Sequence, residues 1–72
     1  MSEYYNDFIR RHKLEYDPMV EKAFTIAEKA HAGQLRHSGE PFFTHPLAVA
    51  DIVADLGLDH TTIIATILHD VV

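Results

Sequence analysis

Cysteine is absent from this chain of 72 residues. Disulfide bonds and thiolate metal sites are therefore excluded, and any metal ion must be held by His, Asp or Glu side chains. A folded domain of this size removes only about 60% of its unfolded surface from water. The chain can therefore form at most one small domain, with marginal stability unless a metal ion or a partner contributes.

Basic residues are absent from the second half of the chain. Residues 1–36 contain six acidic and six basic side chains, whereas residues 37–72 contain five acidic side chains and neither Lys nor Arg. Because phosphate contacts need Lys or Arg, we do not expect this segment to bind nucleic acid. Acidic side chains can surround a bound cation, although a solvated surface is the simpler interpretation for most of them.

Long apolar runs are absent too. No stretch approaches the roughly 20 apolar residues that a membrane-spanning helix needs. The segment Met1-Ser2-Glu3-Tyr4-Tyr5 is acidic and aromatic, not basic and then apolar, so it does not have the pattern of a signal peptide. We therefore expect a cytoplasmic protein without membrane contact.

Strand patterns are also missing. No stretch alternates cleanly between apolar and polar residues, and the chain has no Asn-Gly or Asp-Gly turn. The predicted fold class is therefore all-α. We expect an N-terminal arm or helix over residues 1–18, followed by helices near residues 19–32, 45–57 and 60–72.

Capping signals support these helix boundaries. Asp17, Thr44 and Asp59 are the predicted N-caps of the three helices, and Gly33 and Gly57 are the predicted ends of the first two. The predicted inward-facing positions are Val20, Ala23, Phe24, Ile26, Ala27, Ala30, Leu47, Ala50, Val53, Ala54, Leu56, Ile63, Ile64, Ile67, Leu68 and Val71.

The last predicted helix has no ending signal. From Ile63 to Val72 the apolar rhythm continues, and no Gly, Pro or basic residue follows it. Its last carbonyl groups would therefore lack partners within the chain. We interpret the sequence as truncated, with residues 19–72 forming only part of a domain.

Three potential metal ligands, His45, His69 and Asp70, lie on the last two predicted helices. Helices joined by the short Gly57-Leu58 turn would pack antiparallel, which places the start of one near the end of the other. The spacing allows a mixed nitrogen and oxygen site for Mn²⁺, Fe²⁺ or Zn²⁺. The alternative is structural, because histidines near helix ends more often serve as caps or hydrogen-bonded polar groups.

A second polar cluster, Arg36, His37 and Ser38, lies on the loop between Gly33 and Gly39. A guanidinium group can stack on a purine and can also bind phosphate oxygens. A solvated surface arginine is the alternative interpretation.

The other histidines carry weaker signals. We expect His12 and His60 to be solvated. His31 lies in the last turn of its predicted helix, where an imidazole can interact with the helix dipole.

Two segments resemble the hydrolase domain of RelA/SpoT homologues. The run AHAGQLRHSGEPFFTHPL over residues 30–47 is similar to the opening signature of that family, and ILHDVV over residues 67–72 resembles its His-Asp motif at the spacing the family uses. The resemblance covers residues 20–72. It implies the N-terminal helices of an HD-domain helical bundle, truncated after the His-Asp motif.

The resemblance also implies roles for individual residues. Three of the four ligands of a Mn²⁺ ion would be His45, His69 and Asp70. A guanine nucleotide would be bound by Arg36, His37 and Ser38, with Arg36 against the base. The family usually has Lys where this chain has His37. The resemblance implies no catalytic residue within the chain, because a Glu-Asp pair and the fourth ligand, an Asp, would follow Val72.

The implied reaction is hydrolysis of the 3′-pyrophosphate of guanosine tetra- or pentaphosphate, (p)ppGpp, giving GDP or GTP and pyrophosphate. In longer family members a GTP pyrophosphokinase (synthetase) domain follows, and synthetase-only members typically lose the His-Asp ligands that this chain keeps.

Two alternatives to this reaction stay open. Another HD-type nucleotide phosphohydrolase would share the His-Asp motif but not the loop over residues 33–46. A non-catalytic fragment would act through association, including self-association, by an exposed apolar face. We expect the 72 residues alone to be inactive.

Overall fold

The computed structural model describes residues 3–69 and 71. In chain order its helices are α1 (Glu3–His12), α2 (Pro18–Ala30), α3 (Thr44–Asp55) and α4 (His60–Leu68). This part of the chain contains no strand, and Leu35 and Pro41 form an isolated antiparallel bridge. The all-α prediction is confirmed. None of the helices in the described ranges is long and apolar enough to cross a membrane.

Helix α2 begins where the sequence predicts. Asp17 has an extended backbone, and its carboxylate accepts a hydrogen bond from the Met19 amide at 2.9 Å. Such a cap satisfies one of the amide groups that have no partner inside the helix. The helix ends at Ala30, and Gly33, at a φ of 80°, turns the chain into the following loop.

The predicted N-cap of α3 is wrong. The helix already includes Thr44, and Phe43 takes the N-cap position without a side-chain hydrogen bond. The reason is that Phe43 has helical backbone angles, φ −59° and ψ −22°, so the chain winds into the helix one residue early. The Thr44 hydroxyl instead donates to the Pro41 carbonyl at 2.8 Å.

Helix α4 has the predicted cap but a shorter length. The Asp59 carboxylate accepts from the Thr62 amide at 2.9 Å. The helix ends at Leu68 instead of extending through residue 72, and His69 takes the C-cap position. The Val71 amide donates to the Leu68 carbonyl at 2.9 Å. This three-residue spacing is tighter than that of an α-helix.

The core joins all four helices and the loop before α3. Phe24 of α2 is fully buried at its centre, with the rings of Tyr5, Phe8 and Phe43 at centroid distances of 5.4, 5.2 and 5.7 Å. The other buried apolar residues are Val20, Ala23, Ala27, Ala50, Ile63 and Ile67. Because Tyr5 and Phe8 belong to α1, the N-terminal segment is part of the core.

Three residues predicted to face inward are exposed. Leu56 and Ile26 have exposed fractions of 69% and 40%, and Ala30 is also exposed. The reason is angular, since each residue turns a helix by about 100°. Leu56 lies about 240° around α3 from the buried Ala50, and Ile26 lies about 200° around α2 from Phe24.

The expectation that His12 is solvated is also wrong, because α1 packs against α3. Its side chain is only 9% exposed, and its Nε2 and Nδ1 lie 2.8 and 3.2 Å from carboxylate oxygens of Asp51 and Asp55. Arg11 adds an ion pair to Asp51 at 3.0 Å. His60 is partly exposed, but its ring is also engaged, by Asp17.

Candidate functional site

An open groove of about 740 Å³ lies between the loop after α2 and the start of α3. The residues that line it are Leu35, Arg36, His37, Ser38, Phe42 and His45. The groove therefore contains the whole predicted nucleotide cluster together with one of the predicted metal ligands. Loop and helix residues that are up to ten positions apart in sequence thus share one surface.

The loop that carries the predicted nucleotide cluster is a small backbone hairpin. The Phe42 amide donates to the Gln34 carbonyl at 2.9 Å, the Arg36 amide to the Glu40 carbonyl at 2.8 Å, and the Gly39 amide to the Arg36 carbonyl at 2.8 Å. Gly39 has a φ of 88°, a conformation that favours glycine. These bonds fix the backbone of Arg36 at the tip of the hairpin.

The side chain of Arg36 has a partner on the same hairpin. One guanidinium nitrogen lies 3.7 Å from a carboxylate oxygen of Glu40. Both side chains are largely exposed, so the pair contributes little to stability. The pair places the Glu40 carboxylate next to the guanidinium at the groove. Sequence reasoning did not single out Glu40.

His45 lies in the first turn of α3 and is exposed to the groove. Its backbone amide donates to the Phe42 carbonyl at 3.1 Å, and its ring meets the Phe42 ring edge-on at a centroid distance of 6.4 Å. The next residue, Pro46, is fully buried. Pro46 therefore anchors the helix start that presents His45.

His69 lies just after α4, and its ring is oriented by the backbone. Its Nδ1 donates a hydrogen bond to the Thr66 carbonyl at 2.6 Å. Since a carbonyl oxygen only accepts, the proton of this bond lies on Nδ1, and Nε2 is the ring nitrogen through which His69 could bind a metal ion. This is the arrangement in which proteins commonly present histidine to a metal ion, and the ring therefore fits that role.

The predicted convergence of the three ligands stays a prediction. Asp70 lies outside the described residues. Within residues 3–69 and 71, no three His, Asp or Glu side chains lie close enough together to hold a metal ion. Helices α3 and α4 pack against each other, and residues 56–59 connect them.

His31 is a residue of the site region whose environment the sequence reading missed. It is only 7% exposed, its Nδ1 lies 3.0 Å from Gln34 Oε1, and its ring centroid lies 4.7 Å from that of Phe42. A signal was present in the spacing, because His31 continues the four-residue stripe of the buried Ala23 and Ala27.

Comparison with known proteins places the chain in a family. Residues 23–72 match the family described as "HD domain". This range includes the groove, α3 and α4, whereas α1 precedes it.

Curated relatives give closer similarities. The chain is 57% identical over 54 residues to a "Probable GTP pyrophosphokinase" of Mycobacterium leprae. These 54 residues are 75% of this chain and 7% of the relative. It is 60% identical over 47 residues to a "Guanosine-3′,5′-bis(diphosphate) 3′-pyrophosphohydrolase" of Haemophilus influenzae, covering 65% and 7%. It is 51% identical over 53 residues to the "Bifunctional (p)ppGpp synthase/hydrolase SpoT" of Escherichia coli, covering 74% and 8%.

The matched segment is thus a small part of each relative, between 7% and 8% of its length. The family match, by contrast, spans more than half of this chain. The chain belongs to the HD-domain family and is similar to RelA/SpoT-type proteins over about two thirds to three quarters of its length.

Proposed function

We propose that this HD domain, within a longer protein, hydrolyses the 3′-pyrophosphate of (p)ppGpp, giving GDP or GTP and pyrophosphate. The observation that carries the proposal is the groove, in which Arg36, His37 and Ser38 lie beside His45. One relative is named for this hydrolysis and another for both synthesis and hydrolysis of (p)ppGpp.

The groove offers groups that suit a guanine nucleotide. The Arg36 guanidinium can stack on the purine face or bind phosphate oxygens in a fork. The Ser38 hydroxyl and the His37 ring supply hydrogen-bonding groups at the tip of the same hairpin. His37 replaces the lysine that the family usually has, so phosphate binding at this position loses a permanent positive charge.

His45, His69 and Asp70 are the proposed ligands of a divalent ion, which we propose to be Mn²⁺. Two imidazoles and a carboxylate form a donor set that suits transition metals. Such an ion supplies positive charge that offsets the charge of the pyrophosphate and assists attack by water. The Thr66 carbonyl holds the His69 ring in the tautomer that this role requires.

The 72 residues alone are proposed to lack turnover. The fourth ligand and the acidic pair that the family uses have no counterpart within the chain. We further propose that the longer protein is cytoplasmic and carries a synthetase domain, in line with the relative named as bifunctional.

A second candidate function is association without catalysis. At the corner between α3 and α4 the side chains of Ile52, Leu56 and Leu58 are exposed. Ile52 and Leu56 are four residues apart on one face of α3, so they form an apolar stripe that another protein surface, including a second copy of the chain, can cover.

The proposal is tested by the release of pyrophosphate from ppGpp by the longer protein with Mn²⁺. We expect turnover that chelation abolishes and that His69→Ala abolishes by loss of the metal. The matched control is His60→Ala. It removes a histidine that does not line the groove and that bonds to Asp17, so it should retain turnover.

The same assay separates the alternatives. If deoxynucleotides or cyclic nucleotides are hydrolysed and ppGpp is not, the domain is another HD phosphohydrolase. If no nucleotide is hydrolysed with any divalent metal, association through the apolar stripe becomes the better explanation.

A further inference from the structure

We infer that His31 is a positioning residue for the groove, which orients the hairpin of residues 34–42 without touching the nucleotide. The inference rests on the proposed function where it concerns nucleotide binding. Its structural part, the control of the hairpin by His31, stands independently of that function.

His31 is tied to the hairpin by its backbone and its side chain, and both ties reach the same residue. The Gln34 amide donates to the His31 carbonyl at 3.0 Å. His31 Nδ1 donates to Gln34 Oε1, also at 3.0 Å. Gln34 in turn accepts the Phe42 amide on its own carbonyl at 2.9 Å. His31 therefore fixes the open end of the hairpin, where Gln34 of the first arm pairs with Phe42 of the second.

The His31 ring also supports a wall of the groove. It packs on the ring of Phe42 at a centroid distance of 4.7 Å and an interplanar angle of 37°. Phe42 lines the groove, and its other neighbour there is the ring of His45. A shift of the His31 ring therefore moves the surface that lies between the nucleotide cluster and the proposed metal ligand.

A purely structural explanation accounts poorly for a histidine at this buried position. His31 Nε2 is buried and has no hydrogen-bond partner among the described residues. Burial of a polar atom without a partner is unfavourable, so an aromatic or aliphatic side chain would pack here at a lower cost. Unlike such a residue, a histidine provides an Nδ1 donor, and this donor bonds to the Gln34 side chain.

The substitution His31→Phe separates these two explanations. Phenylalanine keeps a ring against Phe42, removes the unpartnered Nε2 and removes the donor to Gln34. We expect a melting temperature equal to or above that of the wild type. We also expect the amides of Arg36 and Gly39 to exchange with solvent about fivefold faster, the loss of one net hydrogen bond. In the longer protein, binding of ppGpp should weaken by a similar factor, about fivefold.

Two further variants of the 72-residue chain control the experiment. Gln34→Leu removes the acceptor of the same bond, on the exposed side chain, and should give the same exchange rates as His31→Phe. Combining the two substitutions should add no further effect. His60→Ala breaks a histidine–carboxylate bond between α4 and Asp17. It should lower the melting temperature without a selective increase in the exchange rates of the Arg36 and Gly39 amides.

Each outcome bears on the inference. Wild-type exchange rates at Arg36 and Gly39 in His31→Phe overturn it, and so does an equal acceleration in His60→Ala. Faster exchange with unchanged ppGpp affinity removes the role in nucleotide binding. Faster exchange in the 72-residue variant, together with a longer protein whose wild type does not bind ppGpp, supports the control of the hairpin and counts against the proposed function instead.

Discussion

The Nδ1 of His60 donates a hydrogen bond to Oδ2 of Asp17 at 2.7 Å and so joins the start of α4 to the start of α2. The other carboxylate oxygen of Asp17 caps α2 by accepting the Met19 amide. The bond from His60, followed by the bond from Met19, holds the pKa of Asp17 below its ordinary value of 3.8. One carboxylate therefore couples helix capping to the packing of two helices.

The first prediction concerns the acid stability of the fold. Because the pKa of Asp17 is lowered in the folded chain, its charged form stabilises the fold above about pH 4, and this contribution is lost as the pH falls through the folded pKa. Asp17→Asn keeps an N-cap residue but removes the titration. We expect the variant to be less stable than the wild type at neutral pH, with a difference that shrinks below about pH 4 in urea unfolding.

His60→Ala provides the control for this prediction. If the bond from His60 is the main cause of the lowered pKa, the pH-dependent effect of Asp17→Asn on stability becomes smaller in the His60→Ala background. An effect of the same size in both backgrounds would assign the lowered pKa to the backbone amides of Met19 and Val20.

The second prediction concerns the aromatic core. Phe24 is fully buried and contacts the rings of Tyr5, Phe8 and Phe43. Phe24→Ala should cost about 3–5 kcal/mol. A domain of this length has a total stability on the order of 4–11 kcal/mol, so the variant should lose a large share of its stability and unfold at a markedly lower temperature. Circular dichroism during thermal unfolding measures this, and Phe24→Leu, which keeps an apolar side chain, should retain cooperative unfolding.

Local rules predicted much of this fold, and long-range packing decided the rest. Asp17 and Asp59 cap helices as predicted, because a cap depends on residues within one turn. The burial of His12 depends on α1 lying against α3, 39 residues away in sequence, and no local pattern encodes that contact. Leu56 was assigned to the core because it is apolar, whereas its angle around α3 places it outside.

For the site, too, the local sequence predicted one part, and contacts between distant residues decided the other. The motif over residues 30–47 predicted the cluster of Arg36, His37 and Ser38, and the structure places these residues in one groove with His45. The support that His31 gives to that groove was not predicted, because a histidine at a helix end has several possible roles. Its burial depends on contact with Phe42, which lies on the second arm of the hairpin.

The third prediction concerns the contact between α1 and α3. His12 is almost completely buried between these helices and bonds to Asp51 and Asp55. His12→Ala removes both contacts and leaves a space beside Phe8, whose ring lies 4.7 Å from that of His12. We expect a loss of about 1–3 kcal/mol in the free energy of unfolding. That loss corresponds to a fall of several degrees in the melting temperature.

Arg10 supplies the matched control on the same helix. Its side chain is 76% exposed and its ion pair is with Asp7 of α1 itself. Arg10→Ala should therefore change the stability by no more than about 0.5 kcal/mol. A loss as large as that of His12→Ala would mean that α1 depends on its own helical stability instead of its contact with α3.

The fourth prediction concerns nucleotide recognition in the longer protein. Arg36 lies in the groove with its guanidinium near Glu40, and its proposed role is to stack on the guanine base. A desolvated stacked guanidinium contributes on the order of 1–2 kcal/mol, or about tenfold in affinity. Because the contact would be made equally in the ground state and the transition state, Arg36→Ala should raise KM about tenfold and leave kcat nearly unchanged. His69→Ala should instead abolish turnover, since it removes a proposed metal ligand. Steady-state kinetics with ppGpp distinguish the two roles: if Arg36→Ala lowers kcat about a hundredfold at constant KM, Arg36 stabilises the transition state, and the stacking role is wrong.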